Sequence, residues 1–239
     1  MNRRKIMFVM CALLCIIILA ISVVVHMKIK NKKCVSDGNE CFVSNNSLEV
    51  NVISNNEESN KEQVVDNETM VKIKDYIPDI VVDLKYATTE NFTGVVIYED
   101  NEAYLRYGTV KKLINAQNLL KEKGYKIVIW DAYRPVEAQY KLWDVCPNPA
   151  YVSNPNNGYS KHSRGNTVDI SIVELDGSAV ELPSGFDDFS KKADRDYSDV
   201  SKEAKNNSQM LEGVMKECGF NGYKAEWWHY SDTENYDVF

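Results

Sequence analysis

Apolar and polar positions divide the chain into three stretches. Residues 6–25, IMFVMCALLCIIILAISVVV, run for twenty positions without a charge and with Ser22 as the sole polar residue. That is the length a helix needs to cross a bilayer core. From about 34 to 70 the pattern dissolves into SDGNE, SNNS and NVISNNEESNKEQ, rich in Asn, Ser and Glu and low in aromatics, which predicts a flexible tether with no core of its own. From 71 onward the periods of regular structure return. TVKKLINAQNLLKEK, 109–123, sets Val110, Leu113, Ile114, Ala116 and Leu120 at helical spacing, behind Thr109 as N-cap and ahead of Gly124 as stop. YKIVIWD, 125–131, and TVDISIVEL, 167–175, predict strands. SQMLEGVMKEC, 208–218, repeats the helix-then-glycine pattern at Gly219, and KAEWWHY, 224–230, reads as a closing strand. Helices and strands that do not alternate strictly predict an α+β domain with a mainly antiparallel central sheet flanked by helices.

The flanks of the apolar run refine the first stretch. MNRRK precedes it, and His26, Met27 and a basic cluster of Lys28, Lys30, Lys32 and Lys33 follow it. A cleaved signal peptide has a shorter apolar region and small residues at its cleavage site, so the run predicts an uncleaved transmembrane anchor over 1–30, a tether over 31–70 and a folded domain over 71–239. Basic residues flank both ends, but a short basic tail directly ahead of a span is the usual layout of an inside tail and an outside domain. The expected location is the cell membrane, single-pass, with the domain extracytoplasmic. A net charge of -7 and a pI near 5.1 exclude the basic surface that nucleic-acid binding requires.

Six cysteines divide by region. Cys11 and Cys15 lie in the span; Cys34 and Cys41 lie in the tether, as a small disulfide loop or as two free thiols. Cys146 and Cys218 are isolated, as small buried hydrophobes are. None has the spacing of a thiolate zinc site.

The domain holds two histidines, each inside a polar and aromatic cluster. YSKHSRGNTVDI places His162 seven residues before Asp169, and residues seven apart on a regular strand face opposite ways. They converge only if the chain bends between them, and Arg164-Gly165-Asn166 offers the bend. A histidine and a carboxylate brought together supply two of the three protein ligands of a catalytic zinc site, with His229 as the third. H-x6-D alone is more often a surface histidine near an unrelated aspartate, and it is the second cluster that favours the metal reading. Glu226 stands three residues before His229 in EWWH. A carboxylate among large apolar rings is costly unless paired or shifted in pKa: beside a metal it is a general base, and on the solvent side of a strand it is ordinary. In WDAYRP, Arg134 follows a strand end directly, as a surface residue or as a fixed cation for an oxyanion.

Five ordered stretches, DLKYATTENFTG at 83–94, WDAYRP at 130–135, SKHSRGNTVDI at 160–170, GFDDF at 185–189 and EWWHY at 226–230, resemble the zinc-dependent D-alanyl-D-alanine dipeptidases, the group that includes the vancomycin-resistance dipeptidase. The resemblance covers about 75–239. It implies a hedgehog/D,D-peptidase-like fold in which His162, Asp169 and His229 hold one zinc ion per domain and Glu226 is general base and then acid. It further implies that Arg134 stabilises the oxyanion, that Ser160 and Tyr86 line the substrate pocket, and that Asp187 receives the free amino terminus of the D-Ala-D-Ala dipeptide. Two other functions share these features: a D,D-carboxypeptidase trimming peptidoglycan precursors, and a non-catalytic hedgehog-like zinc module. After FDDF the family carries Ser and His residues where this chain reads SKKADRDYSDV, and the soluble resistance enzymes lack the anchor and tether.

Overall fold

The computed structural model describes residues 65–149 and 151–239. The anchor expected over 1–30, most of the tether, and Cys34 and Cys41 lie outside the described residues. Among the described residues no helix is long and apolar enough to cross a membrane.

A three-residue strand β1 (Met70–Lys72) pairs antiparallel with β3 (Tyr104–Arg106). The main sheet has five strands: β2 (Val81–Val82), β4 (Tyr125–Asp131), β5 (Thr167–Glu174), β6 (Phe220–Tyr223) and β7 (Glu226–Asp232), in the order β2-β4-β5-β7-β6. Only the β2–β4 pair is parallel, so the sheet is mainly antiparallel, as the sequence pattern predicts. Helices α1 (Ile73–Tyr76), α2 (Tyr107–Glu122), α3 (Val136–Val145) and α4 (Lys202–Glu217) complete the regular structure. Ile127, Ile129, Val168, Ile170 and Ile172 pack with Val110, Leu113, Ala116 and Leu120 of α2 and with Leu211, Val214 and Met215 of α4, all buried. Full burial of such a Val, Leu or Ile side chain contributes about 1.5–3 kcal/mol. Cys146 and Cys218 are half-buried at the edges of the core rather than inside it.

Several boundaries differ from the sequence pattern, each for a local reason. Helix α2 starts at Tyr107, and Thr109 is not its cap: its buried hydroxyl donates to Asp232 at 2.7 Å. Helix α4 starts six residues before Ser208, capped by the Ser201 hydroxyl, which accepts from the Ala204 amide at 3.0 Å. Its first turns, KEAKNN, carry too few apolar residues to show a period. Strand β7 runs to Asp232, two residues beyond the expected end. The chain already bonds to the domain ahead of residue 71, through Asn67 and Thr69 carbonyls that accept from the Gly108 and Tyr107 amides.

Two irregularities prepare the site. In β4, Ile129 faces Ile170 while Asp131 faces Asp169, so Trp130 is an extra residue bulged out of the pairing. Without the bulge Asp131 would follow Ile127 and Ile129 onto the core face. Because Asp169 in turn faces His229, Asp131, Asp169 and His229 form one row across three strands. The second irregularity is the expected bend between His162 and Asp169. A single helical turn over His162–Arg164 ends in Gly165 at φ 71, where a Cβ would lie 2.6 Å from the Met70 sulfur.

The turn gives a stability prediction. Gly165→Ala forces a side chain into left-handed backbone against Met70 and should cost roughly 1–2 kcal/mol, read as a lower urea midpoint. An unchanged midpoint would count against a strained turn here.

Candidate active site

Strand pairing sets Asp169 beside His229, and the turn before β5 swings His162 over both. His229 Nδ1 lies 2.9 Å from Asp169 Oδ1. His162 Nε2 lies 3.3 Å from Asp169 Oδ2 and 3.3 Å from His229 Nδ1. The second nitrogen of each imidazole is also engaged. His162 Nδ1 donates to the Ala132 carbonyl at 2.8 Å, and His229 Nε2 stands 3.4 Å from the Ser231 hydroxyl. The carbonyl sets the tautomer that leaves His162 Nε2 free to act as a ligand, and the Ser231 hydroxyl can accept from His229 Nε2 so that Nδ1 is free as well. Burial alone would raise the Asp169 carboxyl. The two imidazoles overcome burial by charge and hydrogen bond, and hold the group well below the usual carboxylate range.

Three donors within 4.8 Å of one another, two neutral-capable imidazoles and an ionised carboxylate, fit a divalent zinc ion with a coordination position left open. No other such cluster occurs among the described residues.

Glu226 opens β7 with its carboxylate half-buried and Oε2 3.5 Å from His229 Nδ1. Trp227 and Trp228 beside it are core residues, so the ring cluster is structural while the glutamate turns to the cavity. The strand partner β6 shifts register between Gly222 and Tyr223, opposite Glu226. Burial raises the Glu226 carboxyl above its ordinary value, with His229 opposing and Asp169 and Asp187 adding to the rise. A carboxyl raised in this way, at the edge of the donor trio, is suited to exchanging a proton.

Asp187 sits on the opposite wall in left-handed backbone, φ 54, and its Oδ2 accepts from the Tyr86 hydroxyl at 2.8 Å. Burial pushes the Asp187 carboxyl up to about 7 against the pull of that hydrogen bond. Tyr86 is itself buried and its phenol is raised well above the usual value, chiefly by burial and then by Asp187, so it remains a donor. Ser160 lines the cavity and also accepts from the His162 amide at 3.3 Å, bracing the ligand turn. All eight residues singled out in the sequence, Arg134 among them, line one cavity of about 380 Å³.

Arg134 brings neighbours that the sequence reading did not assign. Its Nε and Nη2 donate to Asp131 Oδ2 at 3.0 and 2.5 Å, its Nη1 to Gln139 Oε1 at 2.9 Å, and its plane lies over the Tyr86 ring. Asp131, fully buried, also accepts from the Tyr98 hydroxyl and the Ala132 amide. Burial opposes the charge of Arg134, but Asp131 more than restores it, and the guanidinium stays cationic. The signal was present in WDAYRP as an aspartate three residues before the arginine. The divergent stretch after Asp187 supplies Arg195, which donates to the backbone carbonyls of Tyr223, Trp227 and His229. It thereby clamps the β6–β7 hairpin, and Gly222 leaves the room: a Cβ there would meet its guanidinium carbon.

A peptidase M15 family model described as D-ala-D-ala dipeptidase matches residues 66–237. The chain is similar to a D-alanyl-D-alanine dipeptidase of Escherichia coli (strain K12), 33% identical over 165 residues covering 69% of this chain and 85% of the relative. It is similar to one from Enterococcus faecium, 33% identical over 168 residues, covering 62% and 83%. A third, from Streptomyces coelicolor, is 31% identical over 182 residues, covering 68% and 90%.

The ligand geometry predicts metal content. His162→Ala and His229→Ala should each lose most zinc after dialysis, since two donors hold the ion poorly against water. Glu226→Gln should keep it. Atomic absorption checks all three, and full zinc in both histidine variants would remove the site.

Proposed function

The chain belongs to the D-Ala-D-Ala dipeptidase family of M15 peptidases, and from that membership we propose that it is a zinc metallopeptidase hydrolysing D-alanyl-D-alanine to two D-alanines, with one zinc ion held by His162, Asp169 and His229. The observation that carries the proposal is that one cavity joins Glu226 and the ligand trio to two further groups, the cation Arg134 and the carboxylate Asp187. A hydrolytic base, an oxyanion partner and an amine receptor are thereby within reach of one small substrate.

Bound zinc supplies Lewis acidity, which acidifies water and polarises a carbonyl. Each protein group then has a task of its own. Glu226 takes a proton from the attacking water as the water oxygen bonds the carbonyl carbon. It returns that proton to the leaving nitrogen as the C–N bond breaks. Arg134, prealigned by Asp131, donates to the oxygen on which negative charge builds. Asp187 pairs with the substrate ammonium, and Tyr86 holds that carboxylate in place. A capped amine would leave Asp187 buried and unpaired, a cost of about 1–3 kcal/mol or more, which supports the dipeptidase over a carboxypeptidase.

We propose further that residues 1–30 anchor the enzyme in the membrane with the domain outside the cell. There it would scavenge D-alanine from dipeptide released by wall metabolism. Protease added to intact cells should then digest the domain or its tether; digestion only after lysis would place the domain inside.

Substrate and pH predictions rest on Asp187. The free dipeptide should be turned over far faster than N-acetyl-D-Ala-D-Ala, and Asp187→Ala should narrow the gap; equal rates in the unsubstituted enzyme would favour the carboxypeptidase. Since the Asp187 carboxyl is pushed up to about 7, above its ordinary value, the folded protein holds a proton there that the unfolded chain has released. Stability therefore falls as pH rises from the ordinary value of 3.8 to about 7, and ionisation at the upper end of that window creates the partner the ammonium needs. KM for the free dipeptide should fall as pH rises through that value, and Asp187→Asn should flatten the profile.

A further inference from the structure

We propose that Gln139 is a positioning residue for this reaction, joining the oxyanion clamp Arg134 to the loop that walls the substrate cavity; the proposal rests on the dipeptidase reading above. Gln139 lies in the first turns of α3 and is 1% exposed. Both ends of its amide are used. Oε1 accepts from Arg134 Nη1 at 2.9 Å, and Nε2 donates to the Ser153 carbonyl at 2.8 Å. A guanidinium only donates and a carbonyl only accepts, so the two partners fix the amide in one orientation.

The bond to Arg134 decides which of its donors face the substrate. Of the five N–H groups of an arginine, Nε and one on Nη2 go to Asp131, and one on Nη1 goes to Gln139. One N–H remains on each terminal nitrogen for a substrate oxygen. Without Gln139 the hydrogen bonds named here hold the guanidinium through Asp131 Oδ2 alone, above the Tyr86 ring, and it is freer to pivot about that oxygen.

The bond to Ser153 brings in the far wall. Pro149, Tyr151, Val152 and Ser153 line the cavity on the stretch after α3. That stretch and Arg134 are thus joined through one rigid amide, and a shift of the wall on substrate binding reaches the guanidinium directly. A buried amide is costly unless both ends are satisfied. An apolar side chain would fill the space as well, so packing alone does not account for a glutamine here.

The test is a double-mutant cycle on the zinc-loaded full chain with D-Ala-D-Ala, using Gln139→Met, Arg134→Lys and the pair. Gln139→Met should lower kcat at least about tenfold, the loss of an interaction made in the transition state, and should also raise KM, since it loses the bond to Ser153 as well. In the Arg134→Lys background the same change should cost little more, since lysine makes no fork for Gln139 to align. A role confined to folding would cost the same in both backgrounds, so additive losses would overturn the proposal, as would an unchanged kcat in Gln139→Met. Should Gln139→Met not fold, Gln139→Glu, which keeps the acceptor for Arg134 and loses the donor to Ser153, takes its place in the cycle. It should raise KM more than it lowers kcat, and an unchanged KM would overturn the link to the wall. Failure of the unsubstituted enzyme to turn over D-Ala-D-Ala would instead overturn the dipeptidase reading and this proposal with it.

Discussion

Two carboxylates, Asp131 and Asp169, face each other on adjacent strands inside a sheet, and the site is organised around that repulsion. Like charges directly opposite destabilise a sheet, and a buried carboxylate without a partner costs still more. Each therefore needs donors of its own, although His162 stands near both, its Nδ1 3.6 Å from Asp131 Oδ2 and its Nε2 3.3 Å from Asp169 Oδ2. Asp131 has Arg134, and Asp169 has the two imidazoles. The arginine reaches back only because it leaves β4 three residues later, where the chain has turned toward α3. The bulge at Trp130 that creates the conflict also puts its solution within reach.

The same physics sorts the remaining acids into roles. Asp169 is more deeply buried than Glu226, yet it is held low while Glu226 and Asp187 are raised. Burial acts upward on all three; the difference lies in how many positive or donor groups each meets. Groups whose environments push their proton affinities apart are suited to different tasks, here the proposed ligand, base and receptor. Tyr98 and Tyr86 belong to this scheme as protonated donors, Tyr98 to the buried Asp131 and Tyr86 to Asp187 in the cavity.

What the sequence made legible follows from the range of the forces involved. The core strands β4 and β5 and the apolar part of α2 announce themselves by local period, and the bend at Gly165 by a glycine between two ligands. The clustering of His162, Asp169 and His229, the proposed ligand set, was legible through five ordered motifs and not through any single spacing. Asp131 and Gln139 were not, because their meaning lies in a bulge and in a contact with Ser153 that no local pattern encodes. Likewise Arg195 reads as one more charge in SKKADRDYSDV until the hairpin it clamps is in place, and β6 and β1 are too short to show alternation.

The strand order also sets a sequence of events in time. Strand β7 lies between β5 and β6, so the β6–β7 hairpin docks as a unit against an edge that β5 presents until then. Docking delivers Glu226 and His229 together. As the ribosome releases the chain from its amino end, Arg134, His162 and Asp169 emerge first, and the base and last ligand follow after more than fifty further residues. Pairing across such separations is slow compared with local helix formation. A chain that has not yet formed β6 and β7 thus lacks Glu226 and His229 in place, and the lining of the cavity is complete only once that hairpin has joined the sheet.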